Sequence, residues 1–461
     1  MTLAGHTRCS RLSSKRSKRA VITRFFNNDR VTLDELTHVV TRLDESSVKD
    51  RDLLVDLDGC TVNVCLGNKG RLDWIPNTGV ATKDKSPAVQ IMPALVLDLA
   101  NKDCLGLGDI AIFGRPPAKG TKQQRNRLKA ERKQLPFAHK ESSVWSQVAI
   151  NTAQQAVSAK RITFVMDQGA DIYQSFQEII DKTGRDLIVR VNRNRKSTAV
   201  ATGEHDDFDG LLQKQPVASL RKIEIPPLNH ISKGDGKRKK RKGRCATLEL
   251  RYLSVLLDRP DKYPQERGSI ERPLCLIEVR EQAQNVPEGE KPILWRLLTT
   301  WSEMDEQRLW QAVEAYRCRW HIEQLFRIIK GQGLGIDSSQ VKRPETLKKL
   351  LVMSVKIAAD AIRLTNARQG DEFIPIEEMF DADQQETLAV ANKELSGQTK
   401  TVTNPHPTNS LAYAAWIIAR LGEWDGYQSQ RPPGPMRMQR GLRRFYEMHN
   451  HFTLFKKYDN T

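Results

Sequence analysis

The feature that most constrains the fold is a β-α-β pattern in the middle of the chain. The apolar runs 161–167 and 185–191 are typical of buried strands, and residues 170–181 between them are typical of an amphipathic helix. Two strands joined by a helix in this way belong to one sheet that is covered by helices. The sequence therefore predicts an α/β core.

Strands are also predicted on both sides of this unit. Several runs between residues 51 and 114 are typical of further strands of the same sheet, and residues 144–158 are typical of an amphipathic helix. Residues 201–290 contain strands without intervening helices, which predicts a β-rich insertion within the α/β domain. Residues 293–300 return to strand.

Most other predicted helices lie near the ends of the chain. Residues 31–45 are predicted to form one helix, and residues 344–364 a long helix that begins at a proline. Helices are also expected over residues 381–399, 408–422 and 436–448. This predicts a helical C-terminal region.

These changes of pattern divide the chain into five parts. Residues 1–45 are a basic arm with a short helical remnant, and residues 46–200 are the first part of the core. The insertion spans 201–290. Residues 291–370 are the second part of the core, and residues 371–461 are the helical C-terminal region.

The charge of the chain predicts an extended polyanion as partner. The net charge is +18 and the pI is about 9.6, values that are most often found in proteins that bind nucleic acid. The alternative is a basic protein without such a partner. Residues 115–136 are predicted to be a basic loop, with seven cations and one acid between Lys119 and Lys133.

A second basic cluster lies in the predicted insertion. Residues 233–244 contain eight cations and one acid, which favours a nucleic-acid patch or resembles a nuclear-localisation signal. The alternative is the solvated tip of a hairpin. The candidate DNA-binding residues of this run are Lys237, Arg238, Lys239, Lys240, Arg241 and Lys242.

Cysteine and hydropathy patterns indicate an intracellular protein. The chain has seven cysteines and no CxxC pair, which predicts reduced thiols in the cytoplasm, not a disulfide framework or a zinc site. No apolar run is long enough to span a bilayer, and the first 26 residues lack the apolar segment of a signal peptide. No membrane partner is therefore expected.

A charged stripe is predicted on one helix near residue 320. Steps of three, four and seven residues place four side chains on one face of an α-helix: Tyr316, Arg319, Glu323 and Lys330. The opposite face is apolar and is expected to pack on a core; it carries Ile322, Leu325, Phe326 and Ile329. A carboxylate between two cations suits a site that handles phosphate with metal ions.

Two further acids are expected at strand ends. Asp167 closes the strand 161–167, and the carboxyl ends of strands in an α/β sheet are the usual place for ligands. Asp58 closes an earlier strand, and Asp56 lies on the same face two residues before it. We prefer Asp58 because it lies at the turn, but the sequence leaves both open. For each acid taken alone, the alternative to a role in such a site is that it is a surface residue or a capping residue.

Together these residues have the chemistry of a phosphoryl-transfer site. Three carboxylates from two strands and one helix can hold two Mg²⁺ ions about 4 Å apart. Arg319 and Lys330 would then bind flanking phosphates, and Arg190 and Arg193 could add further contacts. Trp295, in the strand before the helix, is a candidate for stacking on an extruded base, or else a core residue.

The sequence resembles the cut-and-paste DDE transposases of bacterial insertion sequences, in the group with the Y-(2)-R-(3)-E-(6)-K signature. The signature is matched at every position by Tyr316, Arg319, Glu323 and Lys330. Asp58 in LLVDLDGCT and Asp167 in VMDQGADIY match the two catalytic aspartates. Trp295 has the spacing of the base-stacking tryptophan, and Arg190 matches a strand-end arginine that contacts DNA phosphate. The resemblance runs from about Ala20 to the C-terminus.

The resemblance implies a ribonuclease-H-like α/β core that is interrupted by a β insertion. It implies hydrolysis that depends on Mg²⁺, for which Mn²⁺ can substitute, and that frees a 3′-hydroxyl at each transposon end. This hydroxyl forms a hairpin, which is reopened and joined to target DNA. The implied partners are double-stranded DNA and a second copy of the chain in a synaptic homodimer, with C-terminal helices in contact. The implied location is the bacterial cytoplasm, at the nucleoid.

The chain also departs from the family pattern. Relatives carry a folded DNA-binding domain before the core, and residues 1–24 are too few to form one. This is expected of a truncated chain or of one that recognises DNA ends elsewhere. The alternatives are therefore a shortened regulatory or inhibitor subunit, an inactive relic, or a nuclease of the same fold. Asp–Gly–Cys also replaces the usual Asp–Thr–Thr after the first strand.

Overall fold

The computed structural model describes the chain in two compact units. The first unit comprises Met1–Ile162 and Cys318–Thr461, and the second comprises Thr163–Arg317. The described residues are 16–63, 79–80, 87–114, 121–231, 238–261, 263, 268–330, 333–339, 341, 343–396, 403–427 and 430–459.

The elements alternate between strands and helices along much of the chain. The strands are β1 Asp52–Leu57, β2 Cys60–Asn63, β3 Gly79–Val80, β4 Pro87–Asp98, β5 Cys104–Phe113, β6 Arg161–Met166, β7 Asp186–Arg190, β8 Lys196–Ala199, β9 His205–Asp207, β10 Ser219–Ile225, β11 Leu228–Ile231, β12 Arg238–Arg241, β13 Arg244–Leu257, β14 Leu274–Glu281 and β15 Leu294–Thr299.

The helices lie before, between and after these strands. They are α1 Arg16–Asn27, α2 Leu33–Thr41, α3 Glu45–Val48, α4 Lys122–Gln134, α5 Val144–Gln155, α6 Tyr173–Thr183, α7 Phe208–Gln213, α8 Glu306–Cys318, α9 Trp320–Ile329, α10 Pro344–Ala367, α11 Ala382–Leu395, α12 Leu411–Leu421 and α13 Pro435–Asp459.

The sheet of the first unit is built around the long strand β4. This strand pairs antiparallel with β1, β2, β3 and β5. Strand β1 is buried from Leu53 to Leu57, as expected for a strand covered on both faces. The core therefore extends to the last residue of β1, and the chain leaves it at Asp58.

The long helix α10 organises the helices of the first unit. It begins at Pro344, whose missing N–H costs nothing in the first turn of a helix. It packs against β5 and α13, and α12 packs against both α10 and α13. Most of α12 is buried, since its residues from Leu411 to Ala419 are all enclosed. Burial of these apolar faces is the main source of stability here.

The second unit contains the β-α-β element predicted from the sequence. Strand β6 pairs parallel with β7, and α6 connects them. The other pairings are antiparallel: β7 with β15, β15 with β14, β14 with β13, β13 with β8 and β10, and β8 with β9. Strands β11 and β12 form a separate hairpin. The region 201–290 is rich in strands, but it also contains the short helix α7, which the sequence reading missed.

The expectation of an α/β fold is confirmed. The mixed sheet and its helices are consistent with a ribonuclease-H-like transposase core. Among the described residues, no helix is long and apolar enough to cross a membrane.

Two local predictions were wrong. Within residues 31–45 the helix α2 ends at Thr41, where Arg42 is extended, and the next helix, α3, begins only at Glu45. The segment 115–136 contains helix α4 where a loop was expected. Its Thr121 and Gln124 form a capping box, and Lys, Arg, Gln, Leu, Ala and Glu are good helix formers. Pro116, Pro117 and Gly120, which suggested a loop, lie just before this helix and outside the described ranges, and Pro136 follows its end.

Candidate active site

Asp58 lies where strand β1 leaves the core. Its side chain is 16% exposed, whereas the residues before it are buried. One carboxylate oxygen, Oδ1, accepts a hydrogen bond from the backbone N–H of Gly59 at 2.7 Å. The other, Oδ2, accepts a hydrogen bond from Nη1 of Arg319 at 2.6 Å. Asp58 is therefore held in place at the strand end by a residue 261 positions later in the chain.

Arg319 bonds a second carboxylate with the other arm of its guanidinium. Its Nη2 donates to Oε1 of Glu323 at 2.7 Å. The Arg319 side chain is 15% exposed and that of Glu323 is 35% exposed. Charge-assisted hydrogen bonds from a planar, partly buried guanidinium are among the strongest that proteins make. The guanidinium of Arg319 thus holds the carboxylates of Asp58 and Glu323 next to each other.

Asp56 has a different environment from Asp58. Its side chain is fully buried, and neither carboxyl oxygen has a hydrogen-bond partner among the described residues. Burial raises the pKa of this carboxyl well above its usual value, and the nearby charge of Arg319 only partly opposes the shift. Burial thus favours the uncharged form of Asp56, while Asp58 is the aspartate that is bonded to Arg319.

The prediction of one continuous helix from Tyr316 to Lys330 was wrong. Helix α8 ends at Cys318, and α9 begins at Trp320. The ring Nδ1 of His321 lies 2.7 Å from the Cys318 carbonyl oxygen, and the Ile322 N–H donates to the Arg319 carbonyl three residues back. A side chain that bonds a backbone carbonyl competes with the helical pattern, which explains the tight turn at Arg319.

Lys330 caps the end of α9 in an extended conformation. It interacts with the thiol of Cys60, which lies on β2 two residues after Asp58. Burial raises the pKa of the Cys60 thiol, and the Lys330 ammonium group opposes this shift. The first unit therefore brings Lys330 close to the turn that follows β1.

Asp167 directly follows strand β6 in the second unit. It caps the short helical turn Gln168–Ala170, and its Oδ1 accepts a hydrogen bond from the Gly169 N–H at 2.7 Å. The side chain is neither buried nor fully exposed. A carboxylate at this end of a parallel strand has the position expected for a ligand site.

The loop after β7 is held by a buried acid that the sequence reading missed. One oxygen of Asp171 accepts hydrogen bonds from the backbone N–H groups of Asn192 and Arg193, both at 2.9 Å. The other oxygen is paired with the guanidinium of Arg195. The signal was present in the sequence, since Asp171 follows Asp167 by four residues, but its partners lie more than 20 positions away.

This loop lines a cavity that contains the predicted phosphate contacts. The cavity has a volume of about 180 Å³ and is lined by Gln168, Arg190, Val191, Asn192, Arg193, Leu294 and Arg296. Arg190 is half-buried and donates to the Leu294 carbonyl at 3.3 Å, whereas Arg193 is exposed. Arg296, which the sequence reading missed, is paired with Glu278 and Asp209. The structure thus brings Arg190 and Arg193 together at one cavity.

Trp295 and Tyr316 are in contact within the second unit. Their ring centroids lie 5.4 Å apart at an interplanar angle of 72°, an edge-to-face arrangement that stabilises aromatic pairs. Tyr316 is buried at 5% exposure, whereas Trp295 is partly exposed. The buried ring of Tyr316 therefore supports the indole of Trp295 through this edge-to-face contact.

The basic run 233–244 is described only in part. Lys237 lies outside the described residues, as do the side chains of Arg238, Lys239, Lys240 and Arg241. The backbone of these last four forms strand β12 of the hairpin. Lys242 follows it and is exposed. The DNA contact predicted for this run stays a prediction.

The carboxylates fit a hard divalent cation by their chemistry. Asp58 and Glu323 offer the oxygen donors that Mg²⁺ prefers, and both already face one positive group. Within the described ranges, no group of three or more His, Cys, Asp or Glu side chains lies close enough together to hold a metal ion. The predicted meeting of all three carboxylates at a metal therefore stays a prediction.

Residues 140–359 match the family model of the transposase DDE domain. The matched part contains Asp167 and the whole segment from Tyr316 to Lys330, and Asp58 precedes it. The match supports a DDE transposase, and with it a nuclease or transposase activity on DNA.

Proposed function

We propose that this protein is a DNA transposase that excises an insertion sequence and joins it to target DNA by a cut-and-paste reaction. The match of residues 140–359 to the transposase DDE domain supports this class of reaction. The net charge of +18 supports double-stranded DNA as the substrate. In this proposal Asp58, Asp167 and Glu323 are the catalytic carboxylates.

The observation that carries the proposal is the shared partner of Asp58 and Glu323. Arg319 bonds one at 2.6 Å and the other at 2.7 Å, although they are separated by most of the chain. Two carboxylates held side by side repel each other unless a cation lies between them. A site that keeps such a pair is suited to divalent metal chemistry at a phosphodiester.

The proposed cofactor is Mg²⁺, with Mn²⁺ as a substitute. Asp58, Asp167 and Glu323 would hold the ion, which would lower the pKa of a water or sugar hydroxyl and stabilise the leaving oxygen. Arg319 and Lys330 bind the phosphates that flank the scissile bond, because a guanidinium and an ammonium group match phosphate oxygens in charge. Arg190 and Arg193 add further contacts to DNA phosphate.

Trp295 acts in the hairpin step of the proposed reaction. A 3′-hydroxyl can attack the opposite strand only if the DNA is sharply distorted, and an extruded base relieves that distortion. The partly exposed indole of Trp295, supported by Tyr316, offers a surface on which such a base can stack. The synaptic complex of this proposal is a homodimer that uses the helices of the C-terminal region 371–461.

A strand-transfer assay tests the proposal on DNA that carries the inverted repeats flanking the element. A transposase gives joined products in Mg²⁺. A nuclease of the same fold gives cuts without joining, and a regulatory subunit gives neither and suppresses a full-length relative.

The decisive variant is Glu323→Gln, which removes one carboxylate charge without adding bulk. We expect cleavage to be abolished and DNA binding to be retained. The matched control is Glu314→Gln, the same exchange at a half-buried position of α8 that pairs with Arg317 and Arg221. Mg²⁺-dependent cutting by the Glu323→Gln protein would refute the metal role.

A further inference from the structure

His321 lies between Arg319 and Glu323 in the chain, and the reaction proposed above gives it no role. Its ring is half-buried, and Nδ1 lies 2.7 Å from the carbonyl oxygen of Cys318, three residues back. A carbonyl oxygen can only accept a hydrogen bond, so Nδ1 carries a proton and donates it. The contact therefore determines both the orientation of the ring and which ring nitrogen is the donor.

This contact takes the place of a hydrogen bond of the helical backbone. In an α-helix the Cys318 carbonyl would accept from the N–H of residue 322, four positions later. In the structure the Ile322 N–H donates instead to the carbonyl of Arg319 at 3.1 Å, a bond that spans three positions. The imidazole of His321 thus occupies the Cys318 carbonyl, and the backbone makes a tighter turn at Arg319.

The packing of α9 fixes Glu323 more directly than it fixes Arg319. The helix begins at Trp320, and its buried apolar face prevents rotation about the helix axis. Glu323 lies within the helix, so its direction follows from that packing. Arg319 precedes the first residue of the helix, so the position of its guanidinium depends on the turn 318–322. The residues of the buried face are Ile322, Leu325, Ile328 and Ile329.

We propose that His321 is a positioning residue of the candidate active site, which acts through Arg319. By holding the Cys318 carbonyl, it sets the turn from which Arg319 reaches two carboxylates. The guanidinium must meet Oδ2 of Asp58 at 2.6 Å and Oε1 of Glu323 at 2.7 Å at the same time, and such a two-armed contact tolerates little displacement. The catalytic consequence of this inference rests on the proposed function, whereas the geometric part does not.

Asparagine and glutamine at position 321 are a matched pair of variants. Both end in an amide that can donate a hydrogen bond, but only the asparagine donor is as many bonds from Cα as Nδ1 of histidine. Asparagine also commonly bonds a carbonyl three residues back, whereas glutamine is the better helix former. A positioning role predicts that His321→Asn keeps the turn and that His321→Gln loses it. An effect of helix propensity predicts the opposite order.

The first measurement is a double-mutant cycle that needs no DNA. The urea midpoints of unfolding are compared for the wild type, His321→Gln, Arg319→Gln and the double variant. If His321 acts through Arg319, both single variants lose the same carboxylate contacts, and the double variant should unfold close to the weaker single variant. Shifts of the midpoint that simply add would overturn the proposal.

The second measurement is the rate of Mg²⁺-dependent nicking, with DNA affinity measured separately in EDTA. A misplacement of about 1 Å can cost on the order of 100-fold in rate, so His321→Gln should nick roughly 10- to 100-fold more slowly than the wild type. His321→Asn should stay close to the wild type, and all three proteins should bind DNA equally well. A His321→Gln protein that nicks faster than the His321→Asn protein would also overturn the proposal.

The two measurements separate this inference from the proposed function. If the wild type neither nicks nor joins DNA but the unfolding shifts are not additive, His321 positions Arg319 and the transposase proposal fails. If the wild type joins DNA strands and the unfolding shifts add, only the role of His321 is refuted.

Discussion

At the scale of residues, Asp56 and Asp58 show that a shift of two residues along a strand can change the role of a carboxyl group. Both belong to the same run of sequence, but one is enclosed without a hydrogen bond among the described residues and the other is bonded to Arg319. The sequence favoured Asp58 over Asp56 as the site residue, because Asp58 lies at a turn. It could not show that burial raises the pKa of Asp56, because this depends on neighbours that are distant in the chain.

Replacing each aspartate by asparagine tests this difference. Asp58→Asn should abolish DNA cleavage, because it removes a charge that Arg319 shares with Glu323. Asp56→Asn should leave cleavage within about tenfold of the wild type, since burial already favours the uncharged form. The measurement is Mg²⁺-dependent nicking of an end-bearing duplex. If the Asp58→Asn protein cleaves DNA and the Asp56→Asn protein does not, Asp56 and not Asp58 is the catalytic aspartate.

Asp171 is expected to contribute more to the stability of the second unit than an exposed acid such as Asp181 does. Its side chain and that of Arg195 are 2% and 9% exposed, and removing one partner from a buried pair costs about 3–5 kcal/mol. Asp171→Asn should therefore lower the free energy of unfolding by roughly that amount, as measured in urea. Asp181→Asn, on the exposed side of α6, is the control and should change it by less than about 0.5 kcal/mol. Equal effects would contradict the role of the buried pair.

At the scale of elements, apolar periodicity predicted most strands and long helices, because burial determines both. The strands β1, β4, β6, β7 and β15 and the helix α10 were predicted in this way. The break between α8 and α9 was not, because it depends on His321 bonding a carbonyl, a local competition that periodicity does not report. Helix α4 was missed because it has no apolar period.

The contact of β15 with α8 carries a prediction about the proposed hairpin step. Trp295→Ala should slow hairpin formation more than the first nick, because the indole is needed only when a base leaves the stack. Trp295→Phe keeps an aromatic face against Tyr316 and should lose much less. Gel separation of nicked and hairpin products over time measures both steps. If alanine slows the two steps equally, Trp295 acts through packing.

At the scale of the whole molecule, the sequence predicted the α/β class but not the two compact units. The division falls inside the predicted active-site helix, at Arg317 and Cys318. Sequence patterns are local, whereas compact units depend on contacts between distant segments. The same reason explains why spacing could nominate Asp58 and Glu323 but could not show that one arginine joins them.

The cysteines test the burial pattern of both units in one experiment. Burial raises the pKa of Cys104 to about 12 and that of Cys275 to about 12, whereas Cys245 is exposed. Iodoacetamide at mildly alkaline pH should therefore modify Cys245 in the native protein, and Cys104 and Cys275 only after unfolding. Peptide mass spectrometry measures each site. Alkylation of Cys104 or Cys275 as fast as that of Cys245 would contradict the packing of that unit.

Arg319 also determines how two ligands affect each other. While its fork is bonded to Asp58 and Glu323, its charge cancels part of theirs. In the proposed function, DNA phosphate that draws the guanidinium away would free both acids, and a divalent cation would then bind more tightly. Thermodynamic reciprocity would require the cation to favour DNA by the same factor. Under that proposal Arg319 couples the two ligands, so that each promotes the binding of the other.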